Sequence, residues 1–198
     1  MFIHTAVLGM LPVLVTSTSI PRDDTSVSAT SAAPDGLYET LKQTALGHFH
    51  AHESPDPFDP TEIDKFRSED AFQRYHPQDS IPEASRAPQY KQAHDETLKL
   101  LSGPIQRLTF DLHDMSVDSH NRLVAMRFNA TYDFKAFGDE PAEYGYAADY
   151  MWVMEMEASG QKITRVDEFL DPQRVVDHIM VKAEKYAAWS ANNTNAVN

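Results

Sequence analysis

The sequence lacks cysteine and is poor in cations: its 198 residues carry 17 lysines and arginines against 30 aspartates and glutamates. Without cysteine there is no disulfide framework, thiol nucleophile or thiolate metal site, and the redox compartment is left open. The formal net charge of −13, with no basic stripe and interleaved aromatics, disfavours a nucleic-acid or anionic-membrane surface and implies mainly solubility. A stable membrane span is not expected either, because the apolar run from Ala6 to Val15 is short and broken by Pro12. No internal repeat is present. The length suits one domain of ordinary size with a flexible end, and can bury a sizeable core.

What is present falls into segments. Residues 1–19, an apolar run followed by the small polar residues Thr16 to Ser19, resemble a secretory signal peptide, although the start carries no lysine or arginine. The protein is therefore expected to be secreted, and otherwise cytoplasmic. The sequons at Asn129 and Asn192 fit that route as glycosylation positions. Residues 20–34, rich in Ser, Thr, Ala and Pro without apolar periodicity, read as a disordered linker; a folded domain spans 35–189 and a polar tail 190–198.

Within the domain, Leu37, Leu41, Ala45, His48, Phe49 and His52 recur at helical spacing. Residues 61–75 read as a short second helix built on Ile63, Phe66 and Phe72, ended by His76-Pro77. A third helix from about Gln89 to Ser102 carries Tyr90, His94, Thr97, Leu98 and Leu101 on one stripe before Gly103-Pro104. The period then changes from 3.6 to 2. Leu108, Phe110 and Leu112 alternate with polar residues, as do Val124, Met126, Phe128, Ala130, Tyr132 and Phe134, which predicts an antiparallel sheet with one covered face. A last helix follows Asp171-Pro172, with Asp171 as N-cap.

A hairpin over 146–171 organises these elements. Tyr146, Ala148, Tyr150, Trp152, Met154 and Met156 share one face of its first strand. A tight turn at Ser159-Gly160 would set Trp152 opposite Asp167 and Met154 opposite Arg165, aiming a charged pair at the apolar face. Such a pair is costly unless it is paired, hydrogen-bonded or used by a ligand. A one-residue slip would turn Arg165 and Asp167 to solvent as a plain ion pair and bring Glu168 inside.

The order of elements, and above all the ending Gly160-Gln161-Lys162-Ile163-Thr164-Arg165-Val166-Asp167-Glu168-Phe169-Leu170-Asp171, resembles the SnoaL-like branch of the NTF2-like superfamily. The resemblance implies an α+β fold: a cone-shaped, strongly curved antiparallel sheet on N-terminal helices, with a C-terminal helix and an apolar pocket inside. It also implies cofactor-independent isomerases, cyclases or dehydratases of secondary metabolism, with an apolar small molecule as partner, and a homodimer. The Arg165-Val166-Asp167 spacing is similar to the alternating arginine and aspartate of limonene-type epoxide hydrolases; that family's second aspartate and the histidine pair of scytalone dehydratases have no clear counterpart here.

On this reading Asp167 is the acid/base, Arg165 tunes it or holds the substrate oxygen, and His94 is a proton partner from the covering helix. Tyr132, Tyr146, Tyr150, Trp152, Phe128 and Met154 would line the substrate site; the tyrosines also read as packing residues. His48 and His52 share a helix face but lack a third ligand, so they read as a solvated helix end and no metal is expected. Tyr75-His76 could sit at the pocket mouth, and Asp114 is inward by parity. Asp139, Glu140 and Glu143 read as a solvated loop. The alternative is a secreted, non-catalytic binding protein using the same pocket. A third reading is a partner-binding domain using the open sheet face.

Overall fold

A computed structural model describes residues 36–193 apart from Ser54; the signal-like segment, the linker and the end of the tail lie outside the described residues. Helix α1, Leu37–His50, buries Leu41, Ala45, His48 and Phe49, the stripe expected from the spacing. Its Thr44 hydroxyl donates to the Gly160 carbonyl at 2.8 Å, and Leu37 and Leu41 lie against the same glycine, which takes φ 75° in the hairpin turn. The turn is thereby docked on the first helix.

Gly47 allows a second close approach. A Cβ built there would lie 2.2 Å from the Phe66 ring. Gly47→Ala is expected to lower stability in urea unfolding, because overpacking costs about 1–3 kcal/mol against a helix-propensity gain of about 1 kcal/mol. A variant more stable than the parent would show that Phe66 moves aside freely.

The expected second helix is corrected. Asp59 caps a short α2, Pro60–Asp64, by accepting from the Thr61 amide at 2.8 Å, but the chain then extends as strand β1, Arg67–His76. Ala71 and Gln73 are buried while Arg74 is exposed, a period of 2 rather than 3.6. Strand β2, Gln89–Tyr90, precedes α3, Lys91–Ser102, which buries His94 and Leu98. Strands β3, Ile105–Asp118, β4, Leu123–Phe134, β5, Glu143–Met156, and β6, Ile163–Leu170, complete one curved six-stranded sheet in the order β2-β1-β6-β5-β4-β3. The expected α+β class is observed, with one difference: β1 joins β6 in parallel, so the sheet is mixed.

Asp171 accepts from the amides of Gln173 and Arg174 and caps the C-terminal helix, as expected. That helix runs as α4, Pro172–Arg174, a wide π segment, Val175–Met180, and α5, Val181–Asn192. No helix among the described residues is long and apolar enough to cross a membrane.

The covered face of the sheet holds an aromatic core. Phe128 meets Phe49 edge-on at 5.1 Å and Trp152 at 4.8 Å, and Phe110 lies 4.9 Å from both Phe49 and Phe128. Each such side chain contributes about 1.5–3 kcal/mol by burial.

Candidate functional site

The register of the hairpin decides which charges enter the core. Met156 pairs with Ile163, as the turn predicts, but Glu155 then pairs with Arg165, leaving Thr164 as an extra residue on β6. The Thr164 hydroxyl donates to the Glu155 carbonyl at 3.1 Å and holds this bulge. Every later residue of β6 is shifted by one. Val153 faces Asp167, Trp152 faces Glu168 and Tyr150 faces Leu170. Arg165 and Asp167 therefore lie on the outer face, not in the core, which corrects the inward placement. Asp167 is ion-paired with Arg165, Nε lying 2.9 Å away, and contacts His76 Nε2 at 3.2 Å, and Arg165 reaches Glu155 at 3.1 Å. Glu168 takes the inward place.

Beneath the sheet lies a cavity of about 440 Å³, bounded by α3, the sheet and the π segment. This is an ordinary volume for a small-molecule site. Phe110, Phe128, Leu108 and Leu170 give it apolar walls; its inner polar groups include Glu168, Gln73, Tyr75, Tyr132, Tyr150 and the imidazoles of His52 and His94, and Asp177 and Glu184 border it. Gln73 Nε2 donates to the Glu168 carboxylate at 2.5 Å. Burial pushes the Glu168 carboxyl up to about 7, against the opposing pull of Trp152, Arg67 and Gln73. The indole N–H of Trp152 is a polar neighbour that favours the ionised carboxylate. Tyr132 and Tyr150 join hydroxyls at 2.7 Å. One hydroxyl must donate to the other, so the acceptor's own proton is left for a ligand or another neighbour. Burial raises both phenols and Tyr75, and the nearby Glu168 charge raises all three further, which keeps them neutral donors.

Behind Gln73 sits the buried Arg67. Its Nη1 donates to Gln73 Oε1 at 3.1 Å and lies 3.3 Å from His94 Nε2. Since arginine only donates, His94 Nε2 accepts and the neutral ring carries its proton on Nδ1. Burial, reinforced by Arg67, holds His94 down at about 2. His52, buried against the ring of Trp152 and bonded to the His48 carbonyl, is held at about 4, again chiefly by burial. His48 is also lowered well below its ordinary value by burial and by His52, Arg67 and His94. The expected solvated helix end is corrected: His48 and His52 are 1% and 5% exposed, because the helix stripe they extend faces the sheet. Only His50 remains outside, with Glu53 at 2.6 Å. Among the described residues no group of three or more His, Asp or Glu could hold a metal ion.

Of the residues read as a substrate wall, Phe128, Tyr132, Tyr150 and Trp152 line the cavity. Met154 lies wholly within the core and does not reach it. Tyr146 lies outside, stacked on His178 at 4.1 Å and donating to the Arg174 carbonyl at 3.2 Å. His94 lines the cavity, but as a neutral imidazole. Tyr75 lines it too, while His76 turns to the outer face against Phe169. Asp114 is exposed beside Arg127 at 2.6 Å, because a bulge between Leu112 and Asp114 breaks the parity argument. Glu143 is no free loop residue: despite burial, Lys182 and His178 hold its carboxyl below the usual range. Asn129 lies on the outer face against His113 at 2.6 Å, and Asn192 is exposed at the end of α5. Sequence reasoning missed Gln73 and Arg67, both on the strand read as a helix. The alternation of Ala71, Gln73 and Tyr75 with Phe72, Arg74 and His76 was the available signal.

A curved sheet closed on helices around an apolar cavity is the fold of solved SnoaL-like proteins. BvnE pinacolase from Penicillium brevicompactum shares it with a TM-score of 0.61 at 21% identity, over 77% of this chain and 99% of that one. PrhC from Penicillium brasilianum superposes with a TM-score of 0.63 at 17% identity, covering 80% and 97%. A protein assigned as a SnoaL-like polyketide cyclase from Shewanella denitrificans gives 0.52 at 16% identity, covering 71% and 97%. At these identities the likeness shows the fold. No family model and no curated protein matches the sequence.

Proposed function

We propose that the protein is an acid/base catalyst that isomerises, cyclises or dehydrates an apolar small molecule, with Glu168 moving the proton. The observation that carries this reading is a carboxyl group buried in an apolar cavity and held by Gln73 beside a pair of phenols; burial pushes it up to about 7. At neutral pH such a group exists in both forms. The ionised form removes a proton from carbon or from a hydroxyl, and the neutral form returns it to another atom; in an isomerisation or cyclisation this leaves no net change, and in a dehydration the proton leaves with the hydroxyl as water. Proton transfer from one placed side chain contributes about 10²–10⁴-fold. The free phenol proton of the Tyr132–Tyr150 pair would meet an oxygen on which charge develops. Gln73 fixes the carboxylate rotamer, and Arg67 with neutral His94 fixes Gln73. The neighbours bearing the names pinacolase and polyketide cyclase accord with this class of chemistry.

The test begins with the source organism. Small-molecule extracts of a strain lacking the gene are incubated with purified protein and with the Glu168→Gln variant. A compound consumed by the parent and spared by the variant supports the reading. Turnover unchanged in the variant removes Glu168 from the mechanism; a compound that binds but is never converted makes the protein a carrier.

A further inference from the structure

We infer that the cavity admits only ligands without negative charge, so that the substrate is an uncharged apolar molecule carrying no phosphate, carboxylate or coenzyme A handle. The inference rests on the reading of this cavity as the substrate site. The fixed charges that line it are all acidic: Glu168 inside, and Asp177 and Glu184 where the C-terminal helix borders it. No lysine or arginine lines the wall.

The nearby cations are committed elsewhere. Arg67 does not line the wall: it is held behind Gln73 and His94, and its charge acts on Glu168. Lys182 donates to Glu143 at 2.6 Å and lies over the Phe134 ring. Arg174 donates to the Ala147 carbonyl at 2.8 Å. The two imidazoles of the wall, His52 and His94, are kept neutral by burial. An anion entering this cavity would lose its hydration, touch no cation on the wall and face a carboxylate in a low dielectric, with the buried Arg67 already offset by Glu168. Repulsion at such range weakens binding by about tenfold or more. An uncharged ligand meets only apolar walls and neutral phenols. It follows that any precursor carried as a thioester or phosphate must first be released, by hydrolysis or another carrier-cleaving step, before this protein can take it.

Two fluorescent probes with one aromatic skeleton test this on the full chain at pH 8: phenylnaphthylamine, which is uncharged, and anilinonaphthalene sulfonate, which adds one negative charge. The uncharged probe is expected to bind at least about tenfold tighter. Glu168→Gln should narrow the ratio several-fold, and so should Asp177→Asn combined with Glu184→Gln, with circular dichroism of each variant reporting an intact fold. Asp177 and Glu184 are exposed, so their replacement decides the matter even if Glu168→Gln perturbs the fold. A sulfonate that binds the parent as tightly as its uncharged counterpart overturns the inference, as does a ratio unmoved in the combined variants. Failure of the acid/base reading is seen separately: Glu168→Gln would then keep turnover while still narrowing the ratio.

Discussion

Glu168→Gln will be more stable than the parent at pH 8 and at least about a hundredfold slower on the substrate. The two effects share one cause. In the folded protein the Glu168 carboxyl titrates at about 7, against an ordinary value of 4.5. A raised value means that folding favours the protonated form. The stability tied to that proton is whole below the unfolded value, and is lost as pH rises through about 7. Above that point the parent carries a buried charge whose cost approaches about 3 kcal/mol. Glutamine keeps the volume and keeps an oxygen for Gln73 Nε2, but has no charge to bury and no proton to exchange. Urea unfolding of both proteins at pH 8 and pH 5 measures the difference, which should be large at the higher pH and small at the lower. Equal stability at pH 8 would mean that Glu168 ionises in the fold without strain, and its role as a neutral-pH acid/base would go with it.

Acid will act in the other direction and more strongly. His48, His52 and His94 all have folded values below the ordinary 6.5. Lowered values mean that their contribution is present above the unfolded value and is lost as pH falls below it, because the unfolded chain binds protons that the fold refuses. With three such groups the slope of stability against pH approaches about 4 kcal/mol per unit near pH 5, and Glu168, titrating in the opposite sense, offsets about 1 kcal/mol per unit of this. Denaturant unfolding between pH 7.5 and pH 5 should therefore show a steep loss. His52→Phe, which preserves ring packing beside Phe110 and Trp152, should shallow the slope by about one proton's worth. A stability that stays level over this range would show that the imidazoles are charged inside the fold or reached by water.

Much of this was legible in the sequence. The inward rows of β4 and β5, the stripe of α1 and the Asp171-Pro172 helix start are local patterns, and alternation puts Phe128, Tyr132, Tyr150 and Trp152 on the covered face, where they line the cavity while Tyr146 and Met154 of the same row do not. The carboxylate end of the site was not legible in the same way. One residue, Thr164, separates a hairpin that buries Asp167 from one that buries Glu168, and a bulge leaves no mark on the hydrophobic pattern before it. Gln73 was hidden for another reason. Strand β1 gains its state from pairing with β6 far along the chain, while its polar composition and aromatic spacing fit a short helix equally well.

That parallel joint also sets an order in time. Gln73 and Glu168 are 95 positions apart, and no hairpin can bring them together. A ribosome that has released β4 and β5 has supplied the tyrosine pair but no acid; the carboxylate enters only when β6 closes beside a strand made at the start of the domain. Such long closures come late in folding. On the acid/base reading, a chain shortened before Ile163 would lack Glu168 and with it the proposed proton carrier.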